Sequence, residues 1–86
     1  MKIYHVFLDR IAFRDRRRTI EIYKRATLIE THRTFEGAVN AAISYGFDMS
    51  NPKVEVDRGI TSWSSYIKEF DLDDVWIEIV EDELMD

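Results

Sequence analysis

The chain contains no cysteine, which excludes a disulfide framework, a thiolate metal site and a cysteine nucleophile. A secreted domain of 86 residues usually needs such cross-links, so the sequence predicts a reducing, cytoplasmic environment. No apolar run approaches the ~20 residues that span a bilayer, and no membrane partner is expected. The length predicts a single domain over residues 1–86.

The sequence also lacks the patterns that are typical of catalysis. His5 and His32 are the only histidines, and neither has a serine or carboxylate at a spacing typical of a catalytic unit. The three glycines are isolated, so no phosphate-binding loop is present. An EF-hand starting at Asp71 would place Val75 and Trp76 where an oxygen ligand and a glycine are required. We therefore expect a non-enzymatic protein that uses no cofactor and no metal.

Charge is distributed unevenly along the chain, although the net charge is only −5. Residues 1–33 hold nine bases and four acids, whereas residues 34–86 hold three bases and thirteen acids. Such asymmetry between two parts of one chain favours a charged partner, or two surfaces that meet different partners.

Hydrophobic periodicity predicts an α+β fold in the order β-β-α-β-α-β, with an antiparallel or mixed sheet and helices on one face. Residues 2–8 alternate as a strand, and the pattern can continue through Phe13. Residues 14–18 have nothing to bury and predict a hairpin tip. The second strand then begins at Thr19 and runs to about Thr31.

A helix is predicted next, because Thr34 is a suitable N-cap and apolar residues recur at helical spacing up to Phe47. Gly46 stands where a C-terminal left-handed residue is expected. Residues 53–57 then alternate as a short strand.

A second helix is predicted to begin at Thr61 or Ser62, with its apolar stripe at Trp63, Tyr66, Ile67 and Phe70. Residues 75–80 alternate as a final strand, and residues 81–86 form an acidic tail.

The predicted hairpin tip concentrates arginines, whose planar donors match phosphate oxygens. Bases on the following segment can extend this surface, and a tyrosine on the same strand can stack on unpaired bases. The sequence thus predicts binding of RNA or of a protein–RNA complex, and the predicted contacts are Arg14, Arg16, Arg17, Arg18, Tyr23, Lys24, Arg25 and Arg33. The alternative is that these arginines pair with the chain's own acids.

The acidic end supports a second hypothesis, in which residues 69–86 imitate a nucleic-acid backbone and occupy the basic surface of a partner protein. Tryptophans would anchor such an interface. The predicted partner-binding residues are Trp63, Asp73, Asp74, Trp76 and Glu78. A third hypothesis is a subunit that completes its small core by forming a homo-oligomer.

The Arg16-Arg17-Arg18 tip, the Trp-containing last strand and the Glu81-Asp82-Glu83 end, in a short cysteine-free chain that opens ββα, resemble the small accessory proteins of tailed phages. Many of those are counter-defence factors: nucleic-acid mimics, anti-CRISPR proteins or inhibitors of toxin–antitoxin systems. The resemblance implies a stoichiometric inhibitor acting in the host cytoplasm on a host or defence-system protein, or on a protein–RNA complex such as a ribonuclease toxin. DNA mimics are usually acidic throughout, and residues 1–33 depart from that pattern.

Overall fold

Two long strands, β1 (Lys2–Phe13) and β6 (Asp73–Glu83), lie side by side at the centre of an antiparallel sheet. The computed structural model describes residues 1–85. The remaining elements are β2 (Glu21–His32), α1 (Phe35–Ser44), β3 (Lys53–Asp57), β4 (Ile60–Ser64) and β5 (Lys68–Phe70). The sheet has the order β2-β1-β6-β4-β3, and β5 also pairs with β6.

Within residues 1–85 one helix, α1, is present, and it packs against β1, β2 and β6, as its sequence predicts of a helix lying on a sheet. The Thr34 hydroxyl accepts a hydrogen bond from the Gly37 backbone N–H at 3.0 Å, which caps the first turn. Gly46 has a φ of +90°, a conformation that glycine adopts without steric cost. The buried side of α1 is formed by alanines, so the helix approaches closely to a core that includes Val6, Ile77 and Ile79.

The predicted second helix is wrong: residues 60–64 and 68–70 form strands β4 and β5. Arg58 and Gly59 both have positive φ and close a two-residue turn, so β4 folds back on β3. The apolar stripe expected of the helix is not a buried stripe either, because Ile67 and Phe70 are more than half exposed. The order is therefore β-β-α-β-β-β-β, and the fold is a sheet-dominated α+β arrangement, with 56% of residues in strands and 12% in the helix.

The predicted acidic tail is also corrected over most of its length. Residues 81–83 belong to β6 and pair with residues 2–4 of β1. The Leu84 N–H donates to the Met1 carbonyl at 2.7 Å, which continues the pairing. Asp86 lies outside the described residues. Within residues 1–85, no helix is long and apolar enough to cross a membrane.

The sheet has two unlike faces, here called the helix face and the open face. Val6 and Leu8 of β1 point to the helix face with Ile77 of β6, whereas Asp9 and Trp76 point to the open face. The strand β1 spans about 40 Å and α1 about 15 Å. The helix, together with Phe47 and Met49 that follow it, therefore covers only part of this face, and the part where β1 pairs with β2 near their turn is left uncovered.

Candidate nucleic-acid interface

The predicted hairpin tip exists, as the turn of residues 14–20 between β1 and β2. The Asp15 carboxylate accepts hydrogen bonds from the Thr19 N–H at 3.2 Å and from the Thr19 hydroxyl at 2.6 Å. These hydrogen bonds lower the pKa of Asp15. Arg18 has a φ of +57°, which completes the reversal of the chain. The tip is thus a defined turn whose side chains have set directions.

One of the tip arginines is turned back against the protein's own carboxylates. The Arg18 Nε lies 2.8 Å from Asp74 Oδ1, and its Nη2 lies 3.5 Å from Glu69 Oε2. Arg16 makes only a long contact, 3.8 Å from Asp71 Oδ1, with both side chains largely exposed. Arg18 is therefore neutralised within the molecule, while Arg16 remains available to solvent.

This pairing follows from the topology, because β1 from the basic part of the chain lies beside β6 from the acidic part. The ion pairs across this boundary include Lys2 with Glu81 at 2.7 Å and Arg10 with Asp73 at 3.6 Å. Bases and acids that are far apart in the sequence are consequently close together in the folded protein.

Several exposed bases have no carboxylate partner within the described residues, and they lie on the turn, on β2 and just after β2. Among residues 1–85, no carboxylate lies within 4.0 Å of the side-chain nitrogens of Arg14, Arg17, Arg25 or Arg33. All four are exposed. The outward positive charge is thus shared between the turn, through Arg14 and Arg17, and β2, through Arg25.

A row of bases crosses the helix face beyond α1, although its middle position, Val75, is buried in the core and Lys68 Nζ lies 4.5 Å from the centroid of the Phe47 ring. Arg25 of β2 is directly opposite Arg10 of β1; Arg10 is opposite Val75 of β6, and Val75 is opposite Lys68 of β5. Arg10 and Arg25 line one cavity of about 160 Å³ together with Tyr23. We call Arg25, Arg10 and Lys68 the basic row.

Two exposed aromatic side chains flank the basic row on the side of the turn. Tyr23 is opposite Ala12, Ala12 is opposite Asp73, and Asp73 is opposite Phe70. Tyr23 is 42% exposed and Phe70 is 59% exposed, whereas Ala12 between them is buried and small. The small Ala12 side chain therefore leaves a shallow space between the two rings, next to the basic row.

The other predicted nucleic-acid contacts are not part of this arrangement. Lys24 points to the open face, where its Nζ lies 3.6 Å from Glu21 Oε2. Arg33 lies between β2 and α1, at the opposite end of β2 from the turn. Of the predicted contacts, the structure brings Tyr23 and Arg25 together with Arg10.

The predicted partner-binding residues do not share one surface. Trp63 packs on the helix face, with its ring centroid 4.5 Å from that of Phe35. Asp73 is on the helix face and pairs with Arg10. Asp74 pairs with Arg18, whereas Trp76 and Glu78 line a common cavity on the open face.

A hydrogen-bonded chain around His5 was not expected from the sequence. His5 Nδ1 lies 3.0 Å from the Thr31 hydroxyl, and Nε2 lies 3.2 Å from Asp82 Oδ2. The bond from His5 lowers the pKa of Asp82. The three residues come from β2, β1 and β6, so the chain of bonds links three strands on the open face.

Arg10, Lys68 and Phe70, which the structure places beside Arg25 and Tyr23, were not among the residues predicted from the sequence. Arg10 is separated from the arginine cluster in the sequence, and Lys68 and Phe70 fall in the segment predicted to be a helix. The alternation of β1 and β2 could have placed Arg10 and Arg25 on one face, but only with the register of the hairpin.

No protein-family model matches the chain, and comparison with curated proteins and with solved structures gave no match either. Function is therefore inferred from the arrangement of side chains, because a fold by itself does not define an activity.

Proposed function

We propose that this protein binds single-stranded RNA, free or within a protein–RNA complex, on the uncovered part of its helix face. The observation that carries the proposal is the direct cross-strand pairing of Arg10 with Arg25 beside the exposed ring of Tyr23. Like charges directly opposite one another destabilise a sheet, so their presence favours a site that receives an anion.

Phosphate is the anion that suits these groups best. A guanidinium presents a planar fork of donors that can bind two phosphate oxygens at once. Arg10 already contacts Asp73, at 3.6 Å, which is longer than a close charge-assisted hydrogen bond. Arg10 can therefore turn to a phosphate while Arg25, which has no carboxylate neighbour among the described residues, supplies the remaining charge.

The aromatic side chains favour a single strand over a duplex. Tyr23 and Phe70 can stack on bases that are not paired, and such stacking contributes about 1–3 kcal/mol per base. The only helix within residues 1–85, α1, carries Glu36 as its single charged residue, so it offers no basic surface for the major groove of DNA. Asp73, between the two rings, can accept a hydrogen bond from a ribose 2′-hydroxyl, the group that distinguishes RNA from DNA.

The test is fluorescence anisotropy of a labelled single-stranded RNA titrated with protein at several salt concentrations. We expect the combined variant Arg10→Gln and Arg25→Gln to bind at least about tenfold more weakly. The salt slope should also fall by ~0.7 for each phosphate that the variant no longer neutralises. The matched control is Arg33→Gln with Arg58→Gln, which removes the same charge from residues outside the basic row.

Equal weakening by the two double variants would show that the effect is one of net charge, and would contradict this site. Tight binding of the wild type to duplex DNA and not to single-stranded RNA would contradict the proposed ligand. Under the rival hypothesis of mimicry by residues 69–86, the protein binds no RNA and instead competes with RNA for a basic partner. In that case, reversal of Asp74 and Glu78 to lysine would abolish competition.

A further inference from the structure

A buried carboxylate lies on the open face, on the opposite side of the sheet from the basic row. Asp9 is only 8% exposed. Within the described part of the chain, its carboxylate makes no hydrogen bond and no ion pair. No fully buried side-chain oxygen or nitrogen of these residues lacks a partner, so the Asp9 oxygens keep contact with solvent. Asp9 lines a cavity on this face.

This cavity, of about 300 Å³, combines negative charge with an aromatic wall. Trp76 of β6 is directly opposite Asp9, and Glu78 is the next residue of β6 that points to the same face. Ile11 and Ala26 supply apolar contacts. Burial and the nearby Glu78 carboxylate raise the pKa of Asp9 to about 6, and burial and Glu55 raise the pKa of Glu78.

The molecule's own bases do not neutralise this site. Lys24 of β2 lines the cavity, but its ammonium pairs with Glu21 at 3.6 Å. Arg10 and Arg25 also border the cavity, while strand alternation directs their side chains to the helix face with Tyr23. Within residues 1–85, none of these three bases forms an ion pair with Asp9 or Glu78, although all three border the cavity.

We propose that this cavity binds an organic cation, an alkylammonium or guanidinium group. The charged end would contact Asp9 and Glu78, and its face would lie against the Trp76 indole as a cation–π contact. Ile11 and Ala26 would pack against the attached methylene groups. A metal ion fits less well, because no group of three or more His, Cys, Asp or Glu side chains in residues 1–85 is placed to hold one.

The test is a nuclear magnetic resonance titration that follows the Asp9 carboxyl carbon and the Trp76 indole N–H as agmatine is added. We expect saturable shifts of both signals, and a fall in the Asp9 pKa when the site is occupied, because a bound cation stabilises the carboxylate. Asp9→Asn should weaken binding at least about tenfold. Asp82→Asn, on the same face but outside the cavity, should leave binding unchanged.

Two sources of such a cation can be separated with a second probe, an arginine flanked by glycines with blocked ends. Tighter binding of the peptide than of agmatine would assign the site to a side chain of a partner protein, and the reverse would assign it to a small amine. The proposal is overturned if neither probe gives saturable shifts, if both bind Asp9→Asn as tightly as the wild type, or if Mg²⁺ shifts the two signals while the amines do not. Because the basic row lies on the other face, these outcomes do not decide whether that row binds RNA.

Discussion

Asp9 is a carboxylic acid that is nearly buried, with only 8% of its surface exposed. Its pKa is raised from 3.8 to about 6, chiefly by burial and then by Glu78. Between pH about 4 and pH 6, Asp9 therefore keeps its proton in the folded protein but has lost it in the unfolded chain. The free energy of unfolding consequently falls as the pH rises through this interval. Above pH 6 the full cost of a buried carboxylate is present.

Asp9→Asn should therefore stabilise the protein at neutral pH and not at acid pH. The expected gain in the free energy of unfolding is about 1–3 kcal/mol at neutral pH, and it should vanish near pH 4. Urea denaturation of both proteins across this range measures the difference. The control is Asp82→Asn, because the pKa of Asp82 is lowered by His5 and its replacement should destabilise at neutral pH. A pH-independent gain for Asp9→Asn would contradict the assignment.

Single residues also show where sequence reasoning reaches its limit. The alternation of β1 places Asp9 and Arg10 on opposite faces without any structure, since side chains of a strand alternate. The neighbours that make Asp9 and Arg10 important lie on β2 and β6, and they depend on a register with shifts between Val6 and Phe7 and between Ala12 and Phe13. Such irregularities have no reliable signal in a single sequence.

At the scale of elements, the helix was predictable because its signals agree with one another. Thr34 marks the start of the helix, Gly46 follows its end, and the apolar stripe lies between them. Residues 60–70 lacked this agreement, since their helical spacing competed with β-forming residues and with a turn at Arg58 and Gly59. Strand pairing with β3 and β6 then determined the outcome.

Removing the helix cap should have a measurable cost. Thr34→Ala leaves the Gly37 N–H without its 3.0 Å acceptor, so the free energy of unfolding should fall by about 1 kcal/mol. Urea denaturation measures the change. Thr34→Ser keeps the hydroxyl and should retain most of the stability. If Ser and Ala variants lose the same amount, the cap contributes through its methyl group and not through the hydrogen bond.

At the scale of the whole molecule, the sequence shows that charge is distributed unevenly along the chain. It does not show where the charged side chains lie on the folded surface. The pairing of β1 with β6 brings bases and acids together, as with Lys2 and Glu81. Like charges nevertheless gather at two places: Arg10 and Arg25 on the helix face, where Arg10 makes a 3.6 Å contact with Asp73, and the carboxylates of Asp9 and Glu78 on the open face. The sequence pointed to two charged surfaces, and the topology changed which residues form each of them.

The most direct test of the central claim is to map RNA contacts on the ¹⁵N-labelled protein by nuclear magnetic resonance, with a short unlabelled single-stranded RNA added in steps. Binding at the proposed interface predicts that the largest shift changes occur at Arg10, Tyr23, Arg25 and Phe70, with Trp76 on the open face unchanged. Changes centred on Trp76 and Glu78, or no saturable change at all, would contradict it.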